Sequence, residues 1–195
     1  MIHGILLAGG RSSRMGTDKA LLPVEGKPLI RHICDNLLAL CADVTVVVAS
    51  LQERRYADVL SADTDSRIRF AEDRYPGKGP LAGIHAGLSA IPEAGYGFIM
   101  ACDMPHVSVP LYREMVERLD GSVGAVLCAG QPFHAFYHKR VAQTAEACLR
   151  DDRLRLQAFY AELQAVYVEP DGSGCFENWN APADYEAYLR KLRGG

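Results

Sequence analysis

Residues 2–10 have the sequence IHGILLAGG, a short apolar run that stops at two adjacent glycines. An apolar run without polar alternation predicts a strand buried on both faces of a sheet, and the glycines predict a sharp turn at its carboxyl end. Apolar residues then recur at helical spacing over 28–41, and the β-branched run 43–49 predicts a second buried strand. These three segments predict a βαβ unit with parallel strands.

The remainder of the chain continues the alternation of strands and helices. Predicted strands cover 68–71, 97–102, 123–128, 133–138 and 165–168, and predicted helices cover 80–91, 110–119, 141–149, 154–163 and 182–192. We expect the least order over 51–67, 73–79 and 170–174, where turn formers and charges replace periodicity. The pattern predicts an α/β fold in a single domain over 1–195, with a mainly parallel central sheet, helices on both faces and ligands at the carboxyl ends of the strands.

Length and composition exclude several classes of protein. The 195 residues include 21 Lys plus Arg and 24 Asp plus Glu, so the formal net charge is −3 and no basic nucleic-acid footprint is present. Hydrophobic residues make up 49% and charged residues 23%, which is typical of a globular protein. No apolar run approaches the roughly 20 residues of a membrane span. We predict neither a nucleic-acid nor a membrane partner.

The cysteines indicate the compartment. Six cysteines are spread through the chain without a CxxC pair. In a chain of this size that pattern predicts reduced thiols rather than a zinc site or a disulfide framework. Since no basic segment with a cleavage site stands at the beginning, we predict a cytoplasmic location.

The segment after the first strand combines glycines with cations. Gly9 and Gly10 let backbone amides come close to a phosphate, and Arg14 and Lys19 would neutralise its charge. An ordinary flexible basic loop is the alternative. The spacing fits neither a Walker A loop nor the GxGxxG dinucleotide fingerprint, because the first two glycines are adjacent and no glycine–lysine pair follows at the required distance. We therefore predict a phosphate cradle of another kind.

Asp103 directly follows the strand predicted at 97–102, at the same edge of the sheet as the cradle. A carboxylate in that place is suited to hold a divalent cation that bridges phosphates. The alternative is a turn or cap residue, because Pro105 follows two positions later. The presence of the cradle favours the metal site.

A second carboxylate, Asp73, follows the strand predicted at 68–71 and precedes the glycine-rich stretch 77–83. Glycines before a helix allow close approach of a base or a sugar. Loops of this composition are often no more than connections, and that alternative stays open for Asp73.

His134 and His138 stand four residues apart. On a helix this spacing would indicate a metal pair, but the surrounding pattern predicts a strand and Ala135 stands where a zinc-protease glutamate would be. We predict a strand that faces the substrate. Asn180 precedes the last predicted helix and is typical of a helix cap.

Together these residues resemble the molybdenum cofactor guanylyltransferases, a family of nucleotidyltransferases, and the resemblance runs over nearly the whole chain. The family's opening Leu-Ala-Gly-Gly and Arg-Met-Gly match 7–10 and 14–16, and its lysine matches Lys19. Its Gly-Lys-Pro-Leu, Gly-Pro-Leu-Ala-Gly, Cys-Asp-x-Pro and Asn-x-Asn-x-Pro motifs match 26–29, 79–83, 102–105 and 178–182. The resemblance implies a single-domain, Rossmann-like nucleotidyltransferase fold.

The resemblance also implies substrates and site residues. GTP and molybdopterin, or its metal-bearing form the molybdenum cofactor, would become molybdopterin guanine dinucleotide and pyrophosphate, with Mg²⁺ held by Asp103 and Asn180. The implied catalytic residues are Arg14, Lys19 and Asp103, and the implied GTP-binding residues are Leu7, Ala8, Gly9, Gly10, Lys19, Asp73 and Asp103. Transient contact with molybdoenzymes or cofactor-delivery proteins is a further expectation.

Two departures from the family pattern keep alternatives open. The family usually carries an asparagine near the base where this chain has residues 49–51, and Ala181 replaces the usual threonine. A cytidylyl- or uridylyltransferase acting on another phosphorylated acceptor is one alternative, and a non-catalytic carrier of the finished cofactor is another. The adjacent glycines favour GTP, and Lys19 with Asp103 favours an enzyme over a carrier.

Overall fold

The computed structural model describes residues 1–9, 18–49, 53–61, 66–92, 94–170, 172, 176, 178, 179 and 181–194. Within these ranges the strands are β1 (Ile2–Leu7), β2 (Pro23–Val24), β3 (Lys27–Pro28), β4 (Val44–Val48), β5 (Ile68–Glu72), β6 (Tyr96–Ala101), β7 (Ala125–Cys128), β8 (Gln131–His138) and β9 (Ala165–Val168). β2 and β3 form a small antiparallel hairpin, and the other seven strands form the central sheet in the order β5-β4-β1-β6-β8-β7-β9.

The central sheet is mainly parallel, as predicted. β1 pairs in parallel with β4 and β6, β4 with β5, and β7 with β9. β8 runs antiparallel to both of its neighbours, β6 and β7. The other six strands therefore end on one side of the sheet, which we name the carboxyl edge, and begin on the opposite side, the amino edge.

Helices cover both faces of the sheet. The described helices are α1 (Leu29–Leu38), α2 (Glu53–Ser61), α3 (Pro80–Ala90), α4 (Val109–Val116), α5 (Ala142–Arg150), α6 (Leu156–Tyr160) and α7 (Pro182–Gly194), with 3₁₀ turns at Lys19–Leu21 and Lys139–Val141. Buried side chains of α1, α2, α4 and α7 join one hydrophobic core. Those of α3, α5 and α6 join a second core on the other face. The predicted fold class is confirmed.

Strand side chains alternate between these two cores. In β1, Ile5 belongs to the core under α3 and Leu6 to the core under α1, and in β6 Ile99 and Phe98 divide in the same way. All four side chains are fully buried. Because successive side chains of a strand point to opposite faces, a sheet covered on both faces needs apolar residues at consecutive positions. This is why the apolar run of β1 predicts its place in the sheet.

Two glycines let α3 lie close against β1. A Cβ on Gly83 would stand 3.2 Å from Leu7 Cδ2, and a Cβ on Gly87 would collide with the side chain of Ile5. Gly83, the last residue of the glycine-rich stretch 77–83, lies inside α3, in agreement with the helix predicted over 80–91. Its missing side chain lets the helix pack closely on the strand.

The helix α2 and the hairpin were not predicted. Residues 51–67 were expected to have little order, yet Glu53–Ser61 is helical, and Tyr56 and Leu60 are buried in the core. Four of its nine residues are charged, so too few apolar residues recur at helical spacing to predict the helix. Tertiary packing of the two buried side chains stabilises a helix that its composition only weakly favours.

A paired carboxylate lies at the amino edge. Asp43 Oδ1 lies 3.0 Å from Nδ1 of the fully buried His3, and Asp43 Oδ2 accepts a 3.0 Å hydrogen bond from Arg69 Nη2. The backbone carbonyl of Asp43 accepts a 2.8 Å hydrogen bond from Gly4 N. This network connects the beginnings of β1, β4 and β5.

Two expectations from composition can be compared with the described residues. The five described cysteines, Cys34, Cys41, Cys102, Cys128 and Cys148, are free thiols, as predicted for them. No helix in the described ranges is both long enough and apolar enough to cross a membrane.

Candidate active site

The carboxyl edge brings together three of the predicted site segments. Past the ends of the strands, Ala8 N donates a 2.9 Å hydrogen bond to Val47 O, and Cys102 N donates a 3.1 Å bond to Leu7 O. On the other side, Asp73 N donates a 3.1 Å bond to Val48 O. These bonds continue the ladders beyond β1, β5 and β6, so the residues that follow the three strands share one edge.

Asp103 has a buried and unpaired carboxylate oxygen. Its Oδ1 is shielded from water and has no hydrogen-bond partner among the described residues. Burial raises the pKa of the Asp103 carboxyl above its ordinary value, and the positive charge of Lys19 acts against this rise. A buried oxygen without a donor costs free energy unless a ligand supplies the missing partner. The site of Asp103 therefore fits a cation.

Lys19 begins a 3₁₀ turn that is fixed from both sides. Asp18 is the cap of this turn, and its Oδ1 accepts a 3.2 Å hydrogen bond from Ala20 N. Ala20 is buried in the core, and Leu22 N donates a 3.1 Å bond to Lys19 O. The backbone of Lys19 is therefore held by a cap before it and an apolar anchor after it.

Asp18 also connects this turn to α2, a role that the sequence analysis missed. Tyr56 Oη donates to both carboxylate oxygens of Asp18, at 3.1 and 2.9 Å, and Arg55 Nη1 lies 3.3 Å from Oδ2. Burial is the largest cause that raises the pKa of Tyr56, and its bond to Asp18 adds to the rise. The Asp immediately before Lys19 is a favoured cap residue, so the sequence did contain a signal for it.

Asp73 caps its own turn through one of its two carboxylate oxygens. Its Oδ1 accepts a 2.8 Å hydrogen bond from Tyr75 N. The loop that follows is tied to α5, because Tyr75 Oη donates to Glu146 Oε1 at 3.1 Å and Lys78 Nζ donates to Leu149 O at 2.7 Å. The structure thus places the loop after β5 firmly, and Asp73 is half-buried within it.

Leu7, Ala8 and Gly9 lie at the end of β1 but differ in exposure. Ala8 is buried and Leu7 is half-buried against α3. Gly9 is exposed, and a Cβ built on it would meet its nearest described atom, Ala49 N, at an ordinary 3.7 Å. No steric conflict with the described protein requires glycine there. Close approach of a ligand to the backbone remains a physical reason for it.

Some predicted site residues lie outside the described ranges, namely Gly10, Arg14 and Asn180. Trp179, the neighbour of Asn180 in the chain, is described, and its N donates a 2.9 Å hydrogen bond to Asp103 O. The sequence analysis did not single out Trp179. A lone apolar residue between two asparagines gave no signal of its contact with a segment 76 positions earlier.

The two histidines of β8 are not a metal pair. Residues four apart on a strand are separated by roughly 13 Å. His134 is fully buried and packs edge to face on Phe98 and Phe176, with ring centroids 5.1 and 5.2 Å away. The expectation of a strand that faces the substrate is therefore wrong for His134. Among the described residues, no three His, Cys, Asp or Glu side chains form a group that could hold a metal ion.

The chain is similar in sequence to named proteins. A family model described as "MobA-like NTP transferase domain" matches residues 4–166. A protein of Natronomonas pharaonis named probable molybdenum cofactor guanylyltransferase is 34% identical over 97% of this chain and 97% of its own length. The protein named molybdenum cofactor guanylyltransferase in Yersinia pestis is 34% identical over 99% of this chain and 97% of its own.

Solved structures share the fold. Molybdopterin-guanine dinucleotide biosynthesis protein A of Archaeoglobus fulgidus has a TM-score of 0.79 at 20% identity, over 99% of this chain and 100% of that one. A 4-diphosphocytidyl-2C-methyl-D-erythritol synthase of Anaerococcus prevotii has a TM-score of 0.69 at 16% identity, over 97% and 98% of the two chains. At these identities the likeness concerns the fold alone. On the family model and the sequence relatives together, this chain belongs to the MobA-like nucleotidyltransferases, the family that includes the molybdenum cofactor guanylyltransferases.

Proposed function

We propose that this chain transfers the guanylyl group of GTP to the terminal phosphate of molybdopterin, giving molybdopterin guanine dinucleotide and pyrophosphate. The names of the sequence relatives support this choice of substrates. The observation that carries an active role is the buried, unpaired Oδ1 of Asp103 near the cation Lys19. A carrier without catalysis has no use for a buried carboxylate oxygen that lies near a lysine and has no partner among the described residues.

The buried carboxylate oxygen of Asp103 at the carboxyl edge is a donor of the kind that Mg²⁺ prefers. In nucleotide enzymes Mg²⁺ is commonly held by one or two protein ligands together with substrate phosphates and water. We assign Asp103 as its carboxylate ligand and, from the family's Asn-x-Asn-x-Pro motif, Asn180 as a second ligand. When bound, Mg²⁺ supplies positive charge that stabilises the phosphate oxygens during the reaction.

The remaining chemistry requires positioning and charge neutralisation. A terminal phosphate oxygen of molybdopterin would attack the α-phosphorus of GTP, and the bond from that phosphorus to the departing pyrophosphate would break. The attacking phosphate is already ionised at neutral pH, so no general base is needed. We assign Lys19 and Arg14 to the phosphates, and Gly9 and Gly10 to backbone contact with them.

The loop after β5 is the proposed place of the nucleoside. Asp73 would accept hydrogen bonds from it through the oxygen that the turn of Tyr75 does not use. Leu7 and Ala8 would contact the base through the backbone, because Ala8 is buried and Leu7 packs against α3.

Three further expectations belong to this proposal. We propose that residues 1–195 form one nucleotidyltransferase domain, which is supported by the central sheet of seven strands, β1 and β4 to β9, and by α7 packing on one of its cores. We also propose a cytoplasmic location. The product would be handed on through transient contact with molybdoenzymes or cofactor-delivery proteins.

Thermal unfolding with each nucleotide tests the proposal first. A ligand at about 100 times its Kd adds about 2.7 kcal/mol to the free energy of unfolding. In a chain of this size that raises the Tm by roughly 5–11 °C. We expect this shift with GTP in the presence of Mg²⁺, and a smaller one with ATP, CTP or UTP.

Pyrophosphate release with GTP and molybdopterin then tests the reaction. We expect release only when both substrates and Mg²⁺ are present. A larger Tm shift with CTP or UTP would contradict the guanylyl assignment and favour another nucleotidyltransferase. No Tm shift with any nucleotide would contradict an enzyme and favour a carrier.

A further inference from the structure

The segment that precedes α7 contacts the backbone of the proposed metal ligand. Trp179 N donates a 2.9 Å hydrogen bond to the carbonyl oxygen of Asp103. This bond connects residues that are far apart in the sequence. The family model ends at residue 166, so Trp179 lies beyond the part of the chain that the model matches.

The side chain of Trp179 fixes the position of that N–H. The indole is 2% exposed and packs between two rings of α7, with centroid distances of 4.7 Å to Tyr188 and 5.5 Å to Tyr185. Burial of a large aromatic side chain holds its own backbone in place, because any shift of the chain would expose the ring. The hydrogen bond to Asp103 therefore starts from an anchored donor.

The two tyrosines that pack on Trp179 also contact the segments that follow Lys19 and Asp103. The Tyr188 ring lies 5.5 Å from the ring of His106, three residues after Asp103. Tyr185 Oη donates a 2.5 Å hydrogen bond to Pro23 O, four residues after Lys19. The segment from Trp179 to Tyr188 thus connects the chain that follows Lys19 with the chain that carries Asp103.

We propose that Trp179 is a positioning residue for Asp103. Its buried indole anchors the N–H that holds the Asp103 carbonyl, and so fixes the backbone from which the carboxylate projects. The Oδ1 that has no partner among the described residues would then stay in place for the cation. This inference rests on the proposed assignment of Asp103 to a divalent cation.

The test compares Trp179→Leu and Trp179→Phe with Phe159→Leu. Phe159 is a fully buried aromatic residue in the core on the other face of the sheet, so its variant controls for a general loss of packing. Two quantities are measured on each folded variant: the Mg²⁺ concentration for half-maximal pyrophosphate release at saturating substrates, and the Kd of Mn²⁺ by electron paramagnetic resonance with a non-hydrolysable GTP analogue.

We expect Trp179→Leu to raise both metal constants at least tenfold. Trp179→Phe should recover most of the lost metal affinity, and both metal constants of Phe159→Leu should stay within twofold of those of the unsubstituted protein. Metal constants within twofold for a cooperatively unfolding Trp179→Leu would overturn the inference, as would an equal change in Phe159→Leu. If the unsubstituted protein binds neither Mn²⁺ nor the GTP analogue, the proposed function itself fails. The two failures are therefore distinguishable.

Discussion

Asp43 lies at the amino edge of the sheet and Asp103 at its carboxyl edge, and both carry oxygens that are shielded from water. The carboxylate of Asp43 is paired on both oxygens, with His3 and Arg69. The Oδ1 of Asp103 has no partner among the described residues, and burial raises the pKa of that carboxyl. The same residue type at two ends of one sheet is thus satisfied at one end and left unsatisfied at the other.

From this difference we infer that Asp43 serves the stability of the fold and Asp103 the proposed function. A paired buried carboxylate contributes to the fold, and removing it leaves its partners without an acceptor. An unpaired buried carboxylate lowers the stability of the fold, and such a residue is retained where a bound ligand compensates the loss. The comparison predicts opposite phenotypes for the same substitution at the two positions.

The largest expected effect is on the activity of Asp103→Asn. This change removes the negative charge that we assign to Mg²⁺, so we expect pyrophosphate release to fall at least 100-fold. The Tm without ligands should stay equal or rise, because a neutral group replaces a buried charge. Activity is measured by steady-state kinetics and Tm by calorimetry. Near-normal turnover would remove Asp103 from the mechanism.

Lys19→Ala is expected to have the next largest effect. Removing one charge-stabilising donor costs on the order of 3 kcal/mol of transition-state stabilisation, which corresponds to a loss of roughly 100-fold in kcat. Lys27→Ala is the control, because Lys27 is exposed and pairs with Asp35 at 2.8 Å. A rise in KM for GTP with unchanged kcat would show that Lys19 only binds.

Asp43→Asn is expected to lower the stability of the fold without lowering the activity. The change weakens the bonds to His3 and Arg69, and hydrogen bonds to charged groups contribute about 1.5–3 kcal/mol each. For a loss of about 2 kcal/mol we expect the Tm to fall by about 4–8 °C. We expect kcat within twofold of the unsubstituted protein. A large loss of kcat in a folded variant would contradict the separation of the two edges.

Asp73→Ala tests the carboxylate at the carboxyl edge that already accepts a hydrogen bond from Tyr75 N in its own turn. We expect KM for GTP to rise about tenfold, the equivalent of about 1.4 kcal/mol, with kcat nearly unchanged. Asp73→Asn keeps an acceptor for Tyr75 N and serves as the comparison. If Asp73→Asn binds GTP normally while Asp73→Ala does not, the turn matters and the negative charge does not.

The smallest expected effect concerns pH and His85, whose ring packs against Tyr75 beneath the same loop, with centroids 5.5 Å apart. Burial is the largest cause that lowers the pKa of His85 from its ordinary value of 6.5. The neutral form is therefore favoured in the folded state. Its contribution to stability is complete above pH 6.5 and is lost as the pH falls through the lowered pKa.

Urea unfolding at pH 7 and pH 5 checks this sign. We expect the unsubstituted protein to lose more free energy of unfolding between these pH values than His85→Gln, by less than about 1 kcal/mol. Gln keeps a polar group near Ser89 Oγ, which lies 3.3 Å from His85 Nε2. An equal loss in both proteins would show that His85 does not contribute to the pH dependence.

Most of the sheet could be predicted from local pattern. The predicted strand 165–168 coincides with β9, and the predicted strand 43–49 contains β4 with one extra residue at each end. Apolar, β-branched runs between turn formers leave little freedom to a chain that must bury them on both faces. The missed helix α2 shows the limit, because its two buried side chains gain their stability from contacts that are distant in sequence.

The residues of the candidate site likewise fall into those that the local sequence indicates and those that it does not. Lys19, Asp73 and Asp103 could be located because each follows the end of a predicted strand, and the carboxyl ends of parallel strands share one edge. Asp18 carried a local signal as a cap, yet its bonds to Tyr56 depend on α2. Trp179 carried no local signal at all, since its relation to Asp103 is a single backbone hydrogen bond across the fold.

The sequence by itself determined the alternation of strands and helices, the family of nucleotidyltransferases and the edge of the sheet at which we propose the active site. These follow from periodicity and from motifs of adjacent residues, which the chain order preserves. Only the tertiary structure decided which carboxylates are paired, that Gly83 lets α3 lie close to Leu7 of β1 and that Trp179 donates a hydrogen bond to Asp103. Pairing and burial depend on which distant groups the fold brings within hydrogen-bond distance, and no local pattern encodes those distances.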